Sequence, residues 1–303
     1  MTPSRAAVTL AALLTLLLAA CSSTPGAGPA DDGGTRTVAT ARGEVTVPAT
    51  PRRVVVLEPV QLDTTVALDA PPVGAAVLSE GTGVPAYLAD AGAQVTVVGT
   101  VAEPDLERIA AQRPDLILGT ESRHAALYDR LATIAPTAFM ASQADPWQDN
   151  VRFVGRVLGR EADTEELLTR YRDRCAEVAR THDTAGRTAQ MIRPRDGLLT
   201  LYGPTSFAGG TLECAGFTIP PRDWENSISV DLSPELVQQA RADEVFLTAT
   251  DPASPSAVPP AVEAVRAQVF PRLHPVDQSV WITGVGPLGG QKVLDDIERT
   301  LGR

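Results

Sequence analysis

The sequence predicts an α/β protein: two Rossmann-like lobes with mainly parallel sheets, joined by one long helix. Short β-branched runs alternate with helical patterns in both halves of the chain, the arrangement that builds a parallel sheet with helices on its faces. Between them one helical period runs from Trp147 to Arg180. The halves also share a phrase. Glu107 and Arg113 lead to Asp115 and the run Leu116-Ile117-Leu118, as Glu235 and Arg241 lead to Asp243 and Glu244-Val245-Phe246-Leu247. At 303 residues there is room for about two units of roughly 150 residues each.

Arg5 is the only charged side chain before Cys21, and residues 6–20 are apolar apart from Thr9 and Thr15. That run falls short of the roughly 20 apolar residues a membrane span needs and has the form of a secretory signal, residues 1–20. Leu18-Ala19-Ala20-Cys21 resembles a bacterial lipobox, in which the cysteine sulfur is acylated and becomes the new N-terminus. Two or more acyl chains hold a protein stably at a bilayer, so the expected location is the outer face of the cytoplasmic membrane, lipid-anchored. Residues 21–43 comprise Cys21 and a Ser-, Thr-, Gly-, Ala- and Pro-rich stretch without apolar periodicity. It reads as a flexible stalk.

The first lobe, residues 44–144, holds strand-like runs at 53–57, 73–78, 95–99 and 115–119, with a helical pattern at 105–113. The connecting helix spans 145–183. Trp147, Val151, Val154, Leu158, Tyr171, Cys175 and Val178 recur at helical spacing on one face. As one piece it would measure roughly 50 Å, with a bend expected at Gly159. The second lobe, residues 184–303, reads as strands at 190–192, 198–202, 243–247 and 280–283 and a closing helix at 290–301. Cys175 and Cys214 form an even pair in an oxidising compartment, which permits a disulfide; two buried thiols acting as small hydrophobes fit equally well.

Composition narrows the function classes. Apolar residues make up 44%, which excludes a wholly disordered chain. Acidic residues outnumber basic ones 37 to 26, for a net charge of −11, and such a chain is repelled by phosphate backbones, so no nucleic-acid partner is expected. Gly284-Val285-Gly286-Pro287-Leu288-Gly289 matches a dinucleotide fingerprint but lacks the second strand and the acidic residue that should follow. A glycine loop approaching a ligand at a helix N-terminus suits it better. No Gly-x-Ser-x-Gly elbow or His-Glu-x-x-His motif supports an enzyme. His124, His182 and His274 are the only histidines, too few and too scattered for a direct metal site.

Several segments taken in order resemble a known family. They are Val45-Thr46-Val47-Pro48, the 53–57 run, Ala67-Leu68-Asp69-Ala70 running to Gly74, Val98-Gly99, residues 103–109, residues 114–118, Ile134-Ala135-Pro136-Thr137, and residues 281–301. Together they are similar to the substrate-binding lipoproteins of ABC importers for iron–siderophores and cobalamin, with the class III periplasmic binding protein fold. The resemblance implies a monomeric receptor, not an enzyme, that holds a ferric siderophore between its lobes and hands it to the importer's permease, with no cofactor besides that ligand. It assigns Glu107 and Glu235 to docking on permease arginines. Each also sits in the first turn of a helix, where an acidic residue favours the dipole. Cobalamin or heme on the same fold is the alternative, and a bare zinc or manganese receptor a further one.

Ligands of open α/β sheets bind beyond the carboxyl ends of strands. That rule nominates Glu58 and Gln61 after the first strand, and Arg123 and His124 after the 115–119 strand. In the second lobe it nominates Tyr202 and Phe207, Arg222 and Trp224, and Trp281 with Gly286. Aromatic side chains offer an apolar platform with a polar tip. The hydroxamate-binding branch of the family carries an arginine before the Glu-Pro of its docking helix. This chain has Thr100-Val101-Ala102 there, leaving Arg123 or Arg222 to take that part. No cluster of cations suited to a catecholate complex is evident, so a hydroxamate-type ligand is favoured, with Glu58 placed for a cationic ligand tail.

Overall fold

The computed structural model describes residues 34–224 and 227–302. The expected leader, Cys21 and the stalk up to residue 33 lie outside the described residues. Residues expected to finish the stalk instead form a hairpin, β1 (Thr35–Thr40) and β2 (Gly43–Pro48). Alternation explains it: Val38 and Val47 face inward and are buried, while the turn is fastened by Ala41 N–H donating to the Phe139 carbonyl at 2.9 Å.

The first sheet contains β3 (Val54–Val56), β4 (Gly74–Val77), β5 (Thr96–Thr100), β6 (Leu116–Thr120) and β7 (Thr137–Met140), all parallel in the order β5-β4-β3-β6-β7. Its central strands are buried along their whole length, as apolar runs covered on both faces must be. Of the helices between and after its strands, the ones used below are α1 (Pro59–Ala67), α2 (Leu106–Ala111), α3 (Trp147–Leu158) and α4 (Glu161–His182).

The single connecting helix is in fact two. Gly159 adopts φ 70° in the left-handed region, which ends α3 in the manner that favours glycine. Arg152 Nε then meets Glu165 Oε1 at 2.6 Å. A straight helix would hold these residues, 13 apart, about 20 Å from each other, so the chain doubles back. The spine is α4 alone, 22 residues or about 33 Å.

The second sheet is β8 (Ala189–Arg195), β9 (Leu198–Tyr202), β10 (Ser229–Leu232), β11 (Glu244–Ala249) and β12 (Leu273–Asp277), ordered β10-β9-β8-β11-β12 with only β9 reversed. Among its helices are α5 (Phe207–Cys214), α6 (Gln278–Trp281) and α7 (Pro287–Leu301). The strand expected at 280–283 is therefore helix and turn. The true strand just before it contains Pro275, which breaks the sequence pattern and is tolerated because β12 is an edge strand.

The repeated phrase has one structural meaning. Asp115 accepts the backbone N–H groups of Arg52 and Arg53 at 2.7 and 2.9 Å, clamping the chain entering β3. Asp243 does the same for Thr188 N–H ahead of β8, at 2.8 Å. Cys175 of α4 and Cys214 of α5 are bonded, with Cα atoms 5.4 Å apart. One core runs through both lobes, from Val56 and Leu118 of the first sheet, through Val154, Tyr171 and Leu294 of the helices, to Met191 and Phe246 of the second.

Candidate functional site

A cavity of about 250 Å³ opens between the lobes. Its first wall is Pro59 and Leu62 on α1, Val77 and Leu78 at the end of β4, and the segment 82–86. Its second is Thr250 beyond β11, Asp277 ending β12, and Gln278, Ser279 and Thr283 around α6. All follow the carboxyl ends of parallel strands, the place where this class of sheet binds ligands. Asp277 caps α6 by accepting Ser279 N–H at 2.7 Å, and Gln278 Nε2 donates to Thr250 Oγ1 at 3.1 Å. The second wall is thus a rim of preset donors and acceptors.

Glu58 immediately precedes the Pro59 of the first wall. Only 1% exposed, it accepts Arg123 Nη1 at 2.8 Å, while the arginine stays 39% exposed. Burial pushes the Glu58 carboxyl up to about 7, and the Arg123 charge draws it only partly back. The Thr120 hydroxyl stands beside the carboxylate and, by hydrogen bonding to it, also draws its pKa down. Arg123, held at one end by a buried carboxylate and open at the other, is a fixed cation.

The remaining nominated residues do other work. Gln61 is fully buried; its Oε1 accepts Leu57 and Glu58 N–H, both at 3.1 Å, and its Nε2 donates to the Gly119 carbonyl at 2.9 Å. It ties β3, α1 and β6 together. His124 is 1% exposed, accepts Thr120 N–H at Nδ1 and reaches the Val101 carbonyl with Nε2 at 2.9 Å. Burial lowers its pKa, keeping it neutral. Trp281 stacks on Phe246 at 4.7 Å with Nε1 donating to Asp296, so it belongs to the core.

Tyr202, Phe207, Arg222 and Trp224 do not line the cavity either. Because β9 runs backward, its carboxyl end at Tyr202 pairs with Met191, level with Phe246 rather than with Ala249 and Asp277. Phe207 packs edge-on against Trp147 at 5.5 Å. Arg222 lies over the Trp224 ring at 5.8 Å and donates to the Gln239 carbonyl.

The glycine loop also has an occupant of a different kind. Asp63, fully buried on α1, accepts the N–H groups of Leu288 and Gly289 at 2.9 and 2.8 Å. The anion at this helix N-terminus is the chain's own carboxylate. Gly286, at φ 147°, has no room for a side chain because Asp63 Oδ1 stands 2.3 Å from where a Cβ would be, so Gly286 serves that contact rather than a ligand. The cavity residues 82–86, Thr250 and Gln278 were missed from sequence because small and uncharged residues give no chemical signal. Asp277 was missed with its strand.

His274 meets Glu244 at 2.6 Å, and His182 ends α4. Among the described residues no three His, Cys, Asp or Glu side chains converge as a bare metal ion would require.

Comparison with known proteins agrees with this geometry. The family model described as "Periplasmic binding protein" matches residues 54–216. A probable siderophore-binding lipoprotein of Bacillus subtilis, YfiY, is 30% identical over 93% of this chain and 93% of its own length. The Fe(3+) dicitrate-binding periplasmic protein FecB of Escherichia coli is 30% identical over 61% of this chain and 62% of its own. Staphylococcus aureus SirA, crystallised with staphyloferrin B, superposes with a TM-score of 0.73 at 25% identity, covering 88% of this chain and 99% of that one. The two-lobed class III fold expected from the sequence is thereby borne out. The chain belongs to the periplasmic binding protein family, the substrate-binding receptors of ABC transporters, and is not an enzyme.

Proposed function

We propose that this receptor captures a ferric siderophore between its lobes and delivers it to an ABC permease, serving iron uptake. The observation that carries this reading is the inter-lobe cavity walled by strand ends of both sheets; the Glu58–Arg123 pair does not line it but adjoins Pro59 of its first wall through Glu58. A siderophore presents iron already coordinated, so its receptor needs shape, hydrogen bonds and charge rather than metal ligands. The relatives named for siderophores and for ferric citrate support the ligand class. A fixed arginine suits complexes with anionic oxygens, citrate and hydroxamate alike.

The receptor is held outside the cytoplasmic membrane by acylated Cys21, acts as a monomer, and docks through Glu107 and Glu235. Both glutamates are exposed, and Asp105 caps the first one's helix by accepting Glu107 N–H at 3.0 Å. Among the described residues no helix is long and apolar enough to cross a membrane. Cys21→Ala should move the protein from the membrane to the soluble fraction.

Tryptophan fluorescence titration tests the ligand. Ferric citrate or another ferric siderophore should quench emission saturably, and Arg123→Ala should weaken that binding at least tenfold. Saturable binding of cobalamin, heme or aquo zinc alone, with no response to any ferric chelate, would overturn the proposal.

A further inference from the structure

Asp63 joins more than two partners. Besides the α7 amides of Leu288 and Gly289, its Oδ2 accepts the Tyr87 hydroxyl at 2.8 Å. Tyr87 directly follows Ala86 of the first cavity wall, and Leu288 lies five residues beyond Thr283 of the second. Leu62, the neighbour of Asp63, itself lines the cavity. A single buried carboxylate therefore joins α1, whose Leu62 lines the first wall, and Tyr87, next to Ala86 of that wall, to the N-terminus of α7, which follows the second wall in the chain. An ionised carboxylate can accept all three bonds at once; an amide of the same shape offers one acceptor oxygen and two unwanted donors. Gly286 completes the bracket, since any side chain there would collide with Asp63.

We infer that Asp63 is a positioning residue that couples the two walls of the inter-lobe cavity and so sets the spacing at which a ligand is gripped. The effect on ligand rests on the proposed function; the coupling itself does not. The walls should respond to each other through Asp63. Tyr87→Phe removes one donor with little volume change, and Gly286→Ala presses on the carboxylate from the opposite side.

The test is amide hydrogen exchange on the ligand-free, disulfide-intact protein, with circular dichroism confirming the fold. Tyr87→Phe should speed exchange at Leu288 and Gly289 severalfold, and Gly286→Ala should do so at residues 86–88. Asp63→Asn should speed both. Changes confined to the wall that carries the substitution overturn the coupling. In a parallel arm, ferric citrate binding is titrated with its stoichiometry. Asp63→Asn and Tyr87→Phe should raise Kd about tenfold with the number of sites unchanged. A reduced number of sites at unchanged Kd would mean a purely structural role and would overturn positioning of ligand. If the native protein binds no ferric complex, the functional reading fails, while the exchange arm still decides the coupling.

Discussion

At the scale of single residues, two buried carboxyls govern the region around the cavity. Glu58 and Asp63 are each pushed up to about 7, chiefly by burial, against ordinary values near 4. Their folded pKa lies above the unfolded one. The folded protein therefore keeps protons that the unfolded chain has released, and the associated stability is full below about pH 4 and is lost as pH rises through about 7. In urea unfolding across this window these two groups contribute a component that falls toward neutral pH, opposite in sign to that of Glu165, Asp243 and Glu298, whose ion pairs and hydrogen bonds lower their pKa. Glu58→Gln should flatten part of that fall, on the order of 3 kcal/mol at most for a shift of this size. An unchanged slope would mean that Glu58 is not held in the way its burial indicates. The cost of keeping an ionised Glu58 buried is reasonable if it fixes Arg123, whose outer half faces solvent.

At the scale of elements, the spine helix and its attachment matter most. α4 carries the crossing between lobes, and the Cys175–Cys214 bond staples it to α5 of the second lobe. Closing a loop with a sequence separation of 39 restricts the unfolded chain by roughly 4 kcal/mol on the chain-entropy account. Cys175→Ser with Cys214→Ser should lower the unfolding free energy by about 2–5 kcal/mol, measured in guanidinium, with the helical signal of the native state intact. A loss below about 1 kcal/mol would show that the packing of Tyr171 and Thr211 beside the bridge, bonded at 3.0 Å, already fixes the two helices. The same region shows what helical periodicity conveys and what it omits. The apolar spacing across 147–178 identifies both helices and their buried faces, whereas the packing of the reversed α4 onto α3, with Thr164 filling the space a side chain at Gly155 would need, is a contact that no local pattern encodes.

At the scale of the whole molecule, one core threads both sheets and the helices between them, while the cavity is bounded by strand ends of each. Glu107 and Glu235 stand early in corresponding helical segments, α2 in the first lobe and the 3₁₀ turn Pro234–Ala240 in the second. Two separated carboxylates of this kind orient a partner and speed encounter more than they add affinity. Glu107→Ala with Glu235→Ala should leave ferric-ligand Kd within twofold of native and abolish iron uptake in cells dependent on this receptor. Normal uptake by that double variant would remove the docking assignment.

The fold class, the location of most strands, the phrase shared around Asp115 and Asp243 and the face each long helix buries were legible in the sequence. These follow from local periodicity and from residue types whose preferences act within a few positions. Glu58 and Arg123, both nominated after strand ends, meet as an ion pair. Only tertiary structure decided the rest. The reversal of β9 carried Tyr202 away from the level of the other strand ends, core stacking claimed Trp281, and Asp63 filled the helix end that the glycine loop had made look open to a ligand. In each case the outcome depended on which distant side chain or strand came to lie alongside, and contact partners remote in the chain are fixed by packing of the assembled lobes rather than by neighbouring residues.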